Sequence, residues 1–186
     1  MLLPDDLKIN YYELILTENC NLRCKYCFDD YFEKRENKKN CNDTVMGLSM
    51  INDINNFIIE THDIHSNKIE VSFFGGEPTM NWKFIESFVS RAKRDLKKLP
   101  ISYHINTNLT LINSSKIDFL VNNNFSVVVS LDGKKNSHDA NRIKVDGSGS
   151  WDETIEFLPE IIAKMRAVGR PVQLLMVVNS NNYNNI

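Results

Sequence analysis

The stretch TENCNLRCKYCFDD, Thr17–Asp30, places three cysteines within eight residues: Cys20, Cys24 and Cys27. Their spacing is C-x3-C-x2-C, and the one other cysteine in the 186-residue chain is Cys41. In a reducing compartment, clustered cysteines are typical of metal ligands or redox groups rather than disulfides. The residues between them are uncommonly polar, which argues against three buried apolar cysteines. We therefore predict that the three thiols bind a metal.

The number of thiols separates two kinds of metal site. Structural zinc normally takes four protein ligands, and Cys41, His62 and His65 all lack motif-like spacing to the triad. Cysteine thiolates also hold iron–sulfur clusters, usually four to a cubane. Three ligands leave one iron without a protein donor, and such an iron is suited to binding a substrate or cofactor. Iron–sulfur is therefore favoured over zinc.

Composition argues against several other classes of protein. The chain is 42% hydrophobic and 25% charged with a net charge of −2, which suits one globular domain without a general attraction to nucleic acid or anionic membranes. It has no apolar run of roughly 18 residues, and its first residues, MLLPDDLKIN, do not form a secretory signal. We predict a single cytoplasmic domain over residues 1–186, with no nucleic-acid or membrane partner.

Five runs rich in β-branched and aromatic residues predict strands. They are Ile9–Leu16, Ile69–Phe74, Ile101–Thr107, Phe125–Leu131 and Val172–Val178.

Helical periodicity lies between these runs. The predicted helices are Met50–Ile58 capped by Ser49, Phe84–Leu96 capped by Asn81, a short helix at 117–121, and Trp151–Val168 ended by Gly169. Pro159 predicts a kink in the last helix, or a helix that begins near it. Alternating strands and helices predict an α/β fold with a parallel sheet and right-handed crossovers.

Four unusual segments fall at the ends of predicted strands. The cysteine motif follows the first strand, Gly75–Pro78 (GGEP) the second, Asn106–Leu109 the third and Ser130–Gly133 the fourth. Because the working residues of parallel α/β sheets collect at the carboxyl ends of the strands, these four segments predict one site.

The motifs resemble those of a known family. The cysteine motif with Tyr26 before its last cysteine, followed by GGEP at the end of the next strand, resembles the signature of radical S-adenosylmethionine (radical SAM) enzymes. FFGGEPTMNW, SLDG, HDANR at 138–142 and GSGSWDETI at 147–155 are similar to the peptide- and protein-modifying branch. That branch includes ribosomal-peptide maturases and anaerobic sulfatase-maturating enzymes, and the resemblance extends from about Tyr12 to Asn179.

This resemblance implies an architecture. The family core is a partial (β/α)6 barrel, similar to a TIM barrel, of which five strands are present here. The chain ends at Ile186, before a sixth strand and before any auxiliary-cluster domain. We therefore expect residues 1–186 to be the incomplete core of a longer protein.

The resemblance also implies a cofactor site. Cys20, Cys24 and Cys27 would hold a [4Fe-4S] cluster whose open iron binds the amino and carboxylate groups of S-adenosylmethionine. The glycines Gly75 and Gly76 would let backbone approach that cofactor without a Cβ in the way.

Further residues are implied around the same cofactor. Glu77 and strand-end carbonyls would accept from the cofactor's ammonium group, and Pro78 would stiffen the turn. Tyr26 would contact the adenine. Ser130, Asn108 and Arg142 complete the implied cofactor site as hydrogen-bonding residues.

The implied activity is reductive cleavage of S-adenosylmethionine to a 5′-deoxyadenosyl radical, which abstracts hydrogen from a peptide or protein substrate. The implied partners are that substrate and an electron donor such as flavodoxin or ferredoxin. The alternative is a non-enzymatic module that binds zinc or an iron–sulfur cluster for electron transfer. GGEP favours the enzyme, because an electron carrier has no need of a cofactor-binding turn.

Some motif residues also have ordinary explanations. Ser130 and Asp132 can cap the loop that follows them, and Arg142 can pair with Asp139 or Asp146 at the surface.

Others are predicted to lie outside the chemistry. His138 is expected to be a surface loop histidine with no catalytic role, and Cys41 an exposed thiol. Phe28, Tyr31 and Phe32 can shield the cluster or simply pack.

One position departs from the branch. Where relatives have Thr-Asn-Gly after the third strand, this chain has Thr107-Asn108-Leu109. Because leucine disfavours a left-handed backbone, we expect a different loop geometry there.

Overall fold

A computed structural model describes residues 9–27 and 45–183. The predictions made for Cys41 and for Phe28, Tyr31 and Phe32 lie outside these residues.

In the described part of the chain, five parallel strands form one sheet in the order β1-β2-β3-β4-β5. The strands are β1 Tyr11–Ile15, β2 Ile69–Phe74, β3 Ile101–Thr107, β4 Phe125–Ser130 and β5 Gln173–Leu175. The predicted α/β class is confirmed, and β2 and β3 have the predicted bounds. The fifth strand is much shorter than predicted, because it pairs only with Val128–Ser130 of β4.

Six α-helices and two 3-10 turns connect or follow the strands in the described residues. The helices are α1 Ile51–Thr61, α2 Trp82–Asp95, α3 Ser114–Asn122, α4 Lys135–Asn141, α5 Trp151–Glu156 and α6 Leu158–Ala167, and the turns are Leu48–Met50 and Pro78–Asn81. Helix α4 was not predicted. Its buried residues are the polar Ser137, His138 and Asn141, so it lacks the apolar period from which helices are predicted.

The region around Pro159 follows one of the two predicted alternatives. Helix α5 ends at Glu156 and a new helix begins at Leu158, with Pro159 in its first turn, where no backbone donor is required. Gly169 ends this helix with a φ of 72°, as predicted.

Of the two predicted caps, Asn81 occupies the N-cap position of α2 without a side-chain capping bond, whereas the prediction for Ser49 is wrong. Ser49 lies inside the 3-10 turn, and Met50 precedes α1 without a side-chain hydrogen bond. Asn81 precedes α2, but its Nδ2 donates to the carbonyl oxygens of Leu16 and Met46 at 3.3 and 3.0 Å. Asn81 therefore fixes the end of β1 rather than the start of its own helix.

The core between the sheet and the helices is aromatic at its centre. The Phe73 ring lies 5.8 Å from that of Phe125, 6.0 Å from that of Tyr103 and 5.7 Å from that of Phe88. Phe73, Phe88 and Phe125 are fully buried, and each such side chain contributes about 1.5–3 kcal/mol to folding. This packing holds the strands that carry the site.

Candidate functional site

The cysteine loop, Thr17–Cys27, begins after β1 and lies over the carboxyl ends of the neighbouring strands. Its three cysteine side chains are half-buried. The loop is attached to the rim of the sheet at the ends of β2, β3 and β4.

The first attachment is to the GGEP turn after β2. The backbone N–H of Gly76 donates to the carbonyl of Thr17, and that of Glu77 to the carbonyl of Asn19, both at 2.9 Å. A Cβ on Gly75 would lie 2.2 Å from the Thr17 oxygen, and one on Gly76 would lie 2.5 Å from the Asn19 oxygen. Both positions therefore require glycine because the cysteine loop lies against them.

The structure shows a different reason for Gly75 and Gly76 from the one expected from the sequence. We expected them to make room for a cofactor, but their missing side chains make room for the backbone that leads into Cys20. Gly75 also has a φ of 134°, which an L side chain rarely adopts. The absence of side chains at Gly75 and Gly76 therefore allows the cysteine loop to pack against the GGEP turn.

Glu77 joins the ends of β2 and β3. It is 1% exposed, and its Oε1 accepts from the backbone N–H and hydroxyl of Thr79 and from the hydroxyl of Thr107. Its Oε2 accepts from the backbone N–H of Asn108 at 2.8 Å. Burial raises the pKa of Glu77, and these hydrogen bonds act in the opposite direction.

These contacts restrict what Glu77 can offer a ligand. Its carboxylate is enclosed and occupied by the protein, so any contact between Glu77 and a cofactor ammonium must come through its backbone. Pro78 begins the 3-10 turn that Glu77 caps.

The second attachment is to the loop after β3. The Asn108 side chain donates through Nδ2 to Asn21 Oδ1 at 2.9 Å, and Asn21 donates to Thr110 Oγ1 at 2.7 Å. Asn108 is buried and was predicted from the resemblance as a cofactor contact. The structure shows its amide attached to the cysteine loop, and Asn21 is a site residue that the sequence analysis missed.

Leu109, in the same loop, does not avoid the left-handed conformation. Its φ is 66°, and its side chain is fully buried. The expected change in loop geometry is therefore wrong: the loop adopts the backbone that glycine favours, and burial of the leucine side chain offsets the strain.

The third attachment is to the segment after β4. The Tyr26 hydroxyl donates to Asp132 Oδ2 at 2.5 Å, and Arg142 Nη2 donates to Asp132 Oδ1 at 3.1 Å. Asp132 is fully buried and Arg142 is 6% exposed. Burial and the hydrogen bond to Asp132 raise the pKa of Tyr26.

Two of the ordinary explanations are thereby overturned. Arg142 forms a buried ion pair with Asp132, not a surface pair with Asp139 or Asp146. The Asp132 side chain does not simply cap its own loop, because it binds residues of three distant segments.

His138 is another correction, since it is fully buried rather than on the surface. Its Nδ1 accepts from the backbone N–H of Asp132 at 3.4 Å, and its Nε2 lies 2.9 Å from Ser150 Oγ. The Ser150 hydroxyl donates in turn to the carbonyl of Arg142, which assigns the proton to Nε2. Burial, aided by Arg142, lowers the pKa of His138 to about 4, so the ring is neutral near pH 7.

Ser130, the last residue of β4, is half-buried at the same rim. Its hydroxyl donates to Asn106 Oδ1 at 3.3 Å. The predicted site residues on the four loops thus lie along one edge of the sheet.

The donor set fits an iron–sulfur cluster. Burial raises the pKa of Cys20 to about 12, so a metal must displace its proton for it to bind as a thiolate. Among the described residues, no three His, Cys, Asp or Glu side chains are grouped to hold a single metal ion. Ligands of a cluster bind different irons and need not converge on one point.

The site also contains an unsatisfied polar atom. Arg142 Nε is buried and has no hydrogen-bond partner within the described ranges. Because buried polar atoms are normally paired, this nitrogen is an exception, and the guanidinium has capacity for a further acceptor.

Fold and site together define an α/β protein with a cysteine-ligated cofactor site at the carboxyl rim of a parallel sheet. The model of the Radical SAM superfamily matches residues 14–185. The chain belongs to this superfamily, whose members use a [4Fe-4S] cluster and S-adenosylmethionine.

Curated relatives agree with this assignment. The chain is 33% identical over 156 residues to a radical SAM cyclopropyl synthase, TigE, of Paramaledivibacter caminithermalis, which covers 81% of this chain and 32% of that protein. It is 31% identical over 176 residues to a cysteine-type anaerobic sulfatase-maturating enzyme of Clostridium novyi, covering 91% of this chain and 44% of the enzyme. The chain thus spans less than half the length of these relatives.

Solved structures confirm the predicted partial-barrel core. The structure titled native anSMEcpe with bound AdoMet superposes with a TM-score of 0.74 at 26% identity, over 94% of this chain and 46% of that one. The same protein with AdoMet and the Cp18Cys peptide gives a TM-score of 0.72 at 25% identity, over 94% and 44%.

Proposed function

We propose that this chain is the cofactor-binding core of a radical SAM enzyme that modifies a peptide or protein. The observation that carries the proposal is the cysteine loop, which contains three half-buried thiols and is hydrogen-bonded to the segments at the carboxyl ends of three successive strands. An electron-transfer module would need the thiols, but it would not need a buried arginine with an unsatisfied nitrogen packed on Tyr26 of the same loop. The membership of the superfamily supports the same choice.

In this proposal Cys20, Cys24 and Cys27 hold the [4Fe-4S] cluster. When bound, the cluster and S-adenosylmethionine supply reductive C–S cleavage and radical hydrogen abstraction, which no side chain can supply. The chain's own residues bind and orient these groups.

The remaining roles are divided among the strand ends. Backbone groups of Gly75–Pro78 would bind the methionine end of the cofactor, and Tyr26 would contact its adenine. Ser130 and Arg142 would form hydrogen bonds with it, Arg142 as a buried cation suited to a carboxylate. Asn108 acts mainly by holding the cysteine loop through Asn21.

The substrate class is inferred from the relatives. Maturase-type relatives and the peptide-bound anSMEcpe structure support a peptide or protein substrate for the whole protein. A one-electron donor of the flavodoxin or ferredoxin type completes the reaction.

We further propose a cytoplasmic location, where the thiols stay reduced. None of the helices in the described residues has the length and apolar character needed to cross a membrane.

Anaerobic reconstitution tests the proposal. We expect about four irons per chain, a [4Fe-4S] absorption band and a paramagnetic signal on reduction, followed by release of 5′-deoxyadenosine from S-adenosylmethionine. Alanine at Cys20, Cys24 or Cys27 should abolish iron uptake, whereas Cys41→Ala, the matched thiol outside the motif, should not. Stoichiometric zinc without iron, or a cluster that does not bind S-adenosylmethionine, would support the alternative module.

A further inference from the structure

Asp132 receives more contacts from the cysteine loop and its surroundings than a turn residue requires. It is fully buried, its Oδ2 accepts from the Tyr26 hydroxyl, and its Oδ1 accepts from Arg142 Nη2 and from the backbone N–H of Val177 at 3.0 Å. One carboxylate therefore joins the cysteine loop, the residue after α4 and the segment after β5.

Tyr26 is the point at which this network enters the cysteine loop. Only two residues, Lys25 and Tyr26, separate Cys24 from Cys27. Lys25 is exposed, whereas Tyr26 is half-buried and bonded to Asp132. The Asp132 carboxylate thus reaches the loop between its second and third cysteines.

Arg142 closes the network on a second side. Its guanidinium carbon lies 5.4 Å from the centroid of the Tyr26 ring, within the range of a cation–π contact. Tyr26, Asp132 and Arg142 therefore contact one another in pairs. A displacement of Asp132 would move both the tyrosine and the arginine.

The backbone of Asp132 is also held in place by a hydrogen bond. Its backbone N–H donates to His138, His138 contacts Ser150, and Ser150 donates to the carbonyl of Arg142 at 2.7 Å. This second path returns to Arg142, so the position of the carboxylate is fixed by the backbone as well as by its own hydrogen bonds.

We infer that Asp132 is a positioning residue of the cofactor site: it fixes the cysteine loop through Tyr26 and orients Arg142 from the same carboxylate. This rests on the proposed function, since it assigns the loop an iron–sulfur cluster. The residue acts through its neighbours and does not itself touch the cofactor.

Two single variants and their combination test the inference on the reconstituted chain. Tyr26→Phe removes the hydroxyl alone. Asp132→Asn keeps the shape and, through Oδ1, the acceptor for Arg142 and Val177. Its Nδ2 cannot accept from the Tyr26 hydroxyl, and the Arg142 guanidinium loses its countercharge. Tyr12→Phe is the matched control, because it removes another buried tyrosine hydroxyl, bonded to Thr61 Oγ1 at 3.0 Å at the opposite end of β1.

The rate of iron loss to a chelator and the paramagnetic signal of the reduced cluster are measured without S-adenosylmethionine. We expect Tyr26→Phe to lose iron about tenfold faster, as for one charge-assisted hydrogen bond. Asp132→Asn should lose iron at least as fast as Tyr26→Phe, because it also weakens the contact to Arg142. The double variant should resemble Asp132→Asn alone, since Tyr26→Phe removes a contact that Asp132→Asn has already broken. Both single variants should alter the signal, and Tyr12→Phe should alter neither readout.

The inference is overturned if Tyr26→Phe and Tyr12→Phe lose iron at the same rate, or if the effects of Tyr26→Phe and Asp132→Asn multiply. Should Asp132→Asn fail to fold, the comparison of the two tyrosine variants decides alone. Failure of the unsubstituted chain to take up iron would instead refute the proposed function.

Discussion

The carboxyl rim of the sheet and the core beneath it both contain fully buried side chains, but those side chains are of opposite kinds. Phe73, Phe88 and Phe125 are fully buried in the core, and Glu77 and Asp132 are buried to within 1% at the rim. Burying an aromatic ring stabilises the fold, whereas burying a carboxylate costs free energy unless it is hydrogen-bonded. The rim therefore stays folded through specific partners.

This difference separates stability from position. Core side chains make contacts that many apolar residues could replace. At the rim, by contrast, the buried carboxylates Glu77 and Asp132 have particular partners, and several rim contacts are made to the cysteine loop. We conclude that the core supplies most of the folding free energy and that the rim fixes where the thiols lie.

The largest effect is expected in the core. Phe73→Ala should lower the free energy of unfolding by about 3–5 kcal/mol, because it empties a fully buried aromatic site. Denaturant unfolding of the metal-free chain measures this. The control is Phe57→Ala, at a position that is 42% exposed, where we expect about 1 kcal/mol or less. Equal losses would contradict a core centred on Phe73.

The next prediction concerns the pH dependence of the free energy of unfolding, which His138 near the rim should cause. His138 titrates near 4 in the folded chain and at its ordinary 6.5 when unfolded, so the unfolded state binds more protons between these values. Stability is therefore complete above pH 6.5, falls by up to about 3 kcal/mol as the pH drops to about 4, and falls no further from this group below that. Unfolding of the metal-free chain between pH 7 and pH 4 measures it.

His138→Gln supplies the comparison for this pH series. The variant should lose the part of the pH dependence that lies between pH 6.5 and 4 while keeping the remainder. An unchanged profile would mean that the buried imidazole is not the group that titrates.

A third variant tests the packing of the cysteine loop against Gly76. Gly76→Ala should cost about 1–3 kcal/mol of stability and reduce iron uptake, because its Cβ would lie 2.5 Å from the Asn19 carbonyl. Gly47→Ala is the matched control, since a Cβ there meets only Ser49 Oγ at 3.6 Å. Denaturant unfolding and iron content are compared. Wild-type behaviour of Gly76→Ala would show that the loop can move away without loss.

The smallest effect concerns the backbone of Leu109. At an ordinary buried helical position such as Leu120, Gly should be about 1 kcal/mol less stable than Ala. At Leu109, with φ of 66°, Leu109→Gly should be at least as stable as Leu109→Ala, since only glycine loses the strain. The four variants are compared by denaturant unfolding. The same order at both positions would argue against a strained leucine.

The sequence was sufficient for features that depend on local pattern. Alternating apolar runs predicted the parallel α/β sheet and both ends of β2 and β3, because strand and helix periods are local properties of the chain. The cysteine spacing and GGEP were likewise readable, since both motifs are short and contiguous. Strand order then brought the predicted residues to one rim, as the geometry of a parallel sheet requires.

The local sequence pattern did not predict elements whose buried side chains are polar. Helix α4 carries His138 and Asn141 on its buried side, so nothing in its sequence distinguishes it from an exposed loop. The same ambiguity placed His138 at the surface and left a surface ion pair open as an alternative for Arg142. A polar residue reveals its burial only through its partner, and the partner of Arg142, Asp132, lies ten residues away along the chain.

The amino-acid sequence by itself determined the class of fold, the three thiols and the edge of the sheet on which they lie. Only the tertiary structure decided what holds those thiols: that the glycines after β2 make room for the cysteine loop, and that Asp132 binds Tyr26 across 106 residues of chain. The physical reason is that hydrogen-bond partners and steric limits belong to pairs of distant residues. A sequence pattern describes one segment at a time, and these contacts exist only once the strands have brought the segments together.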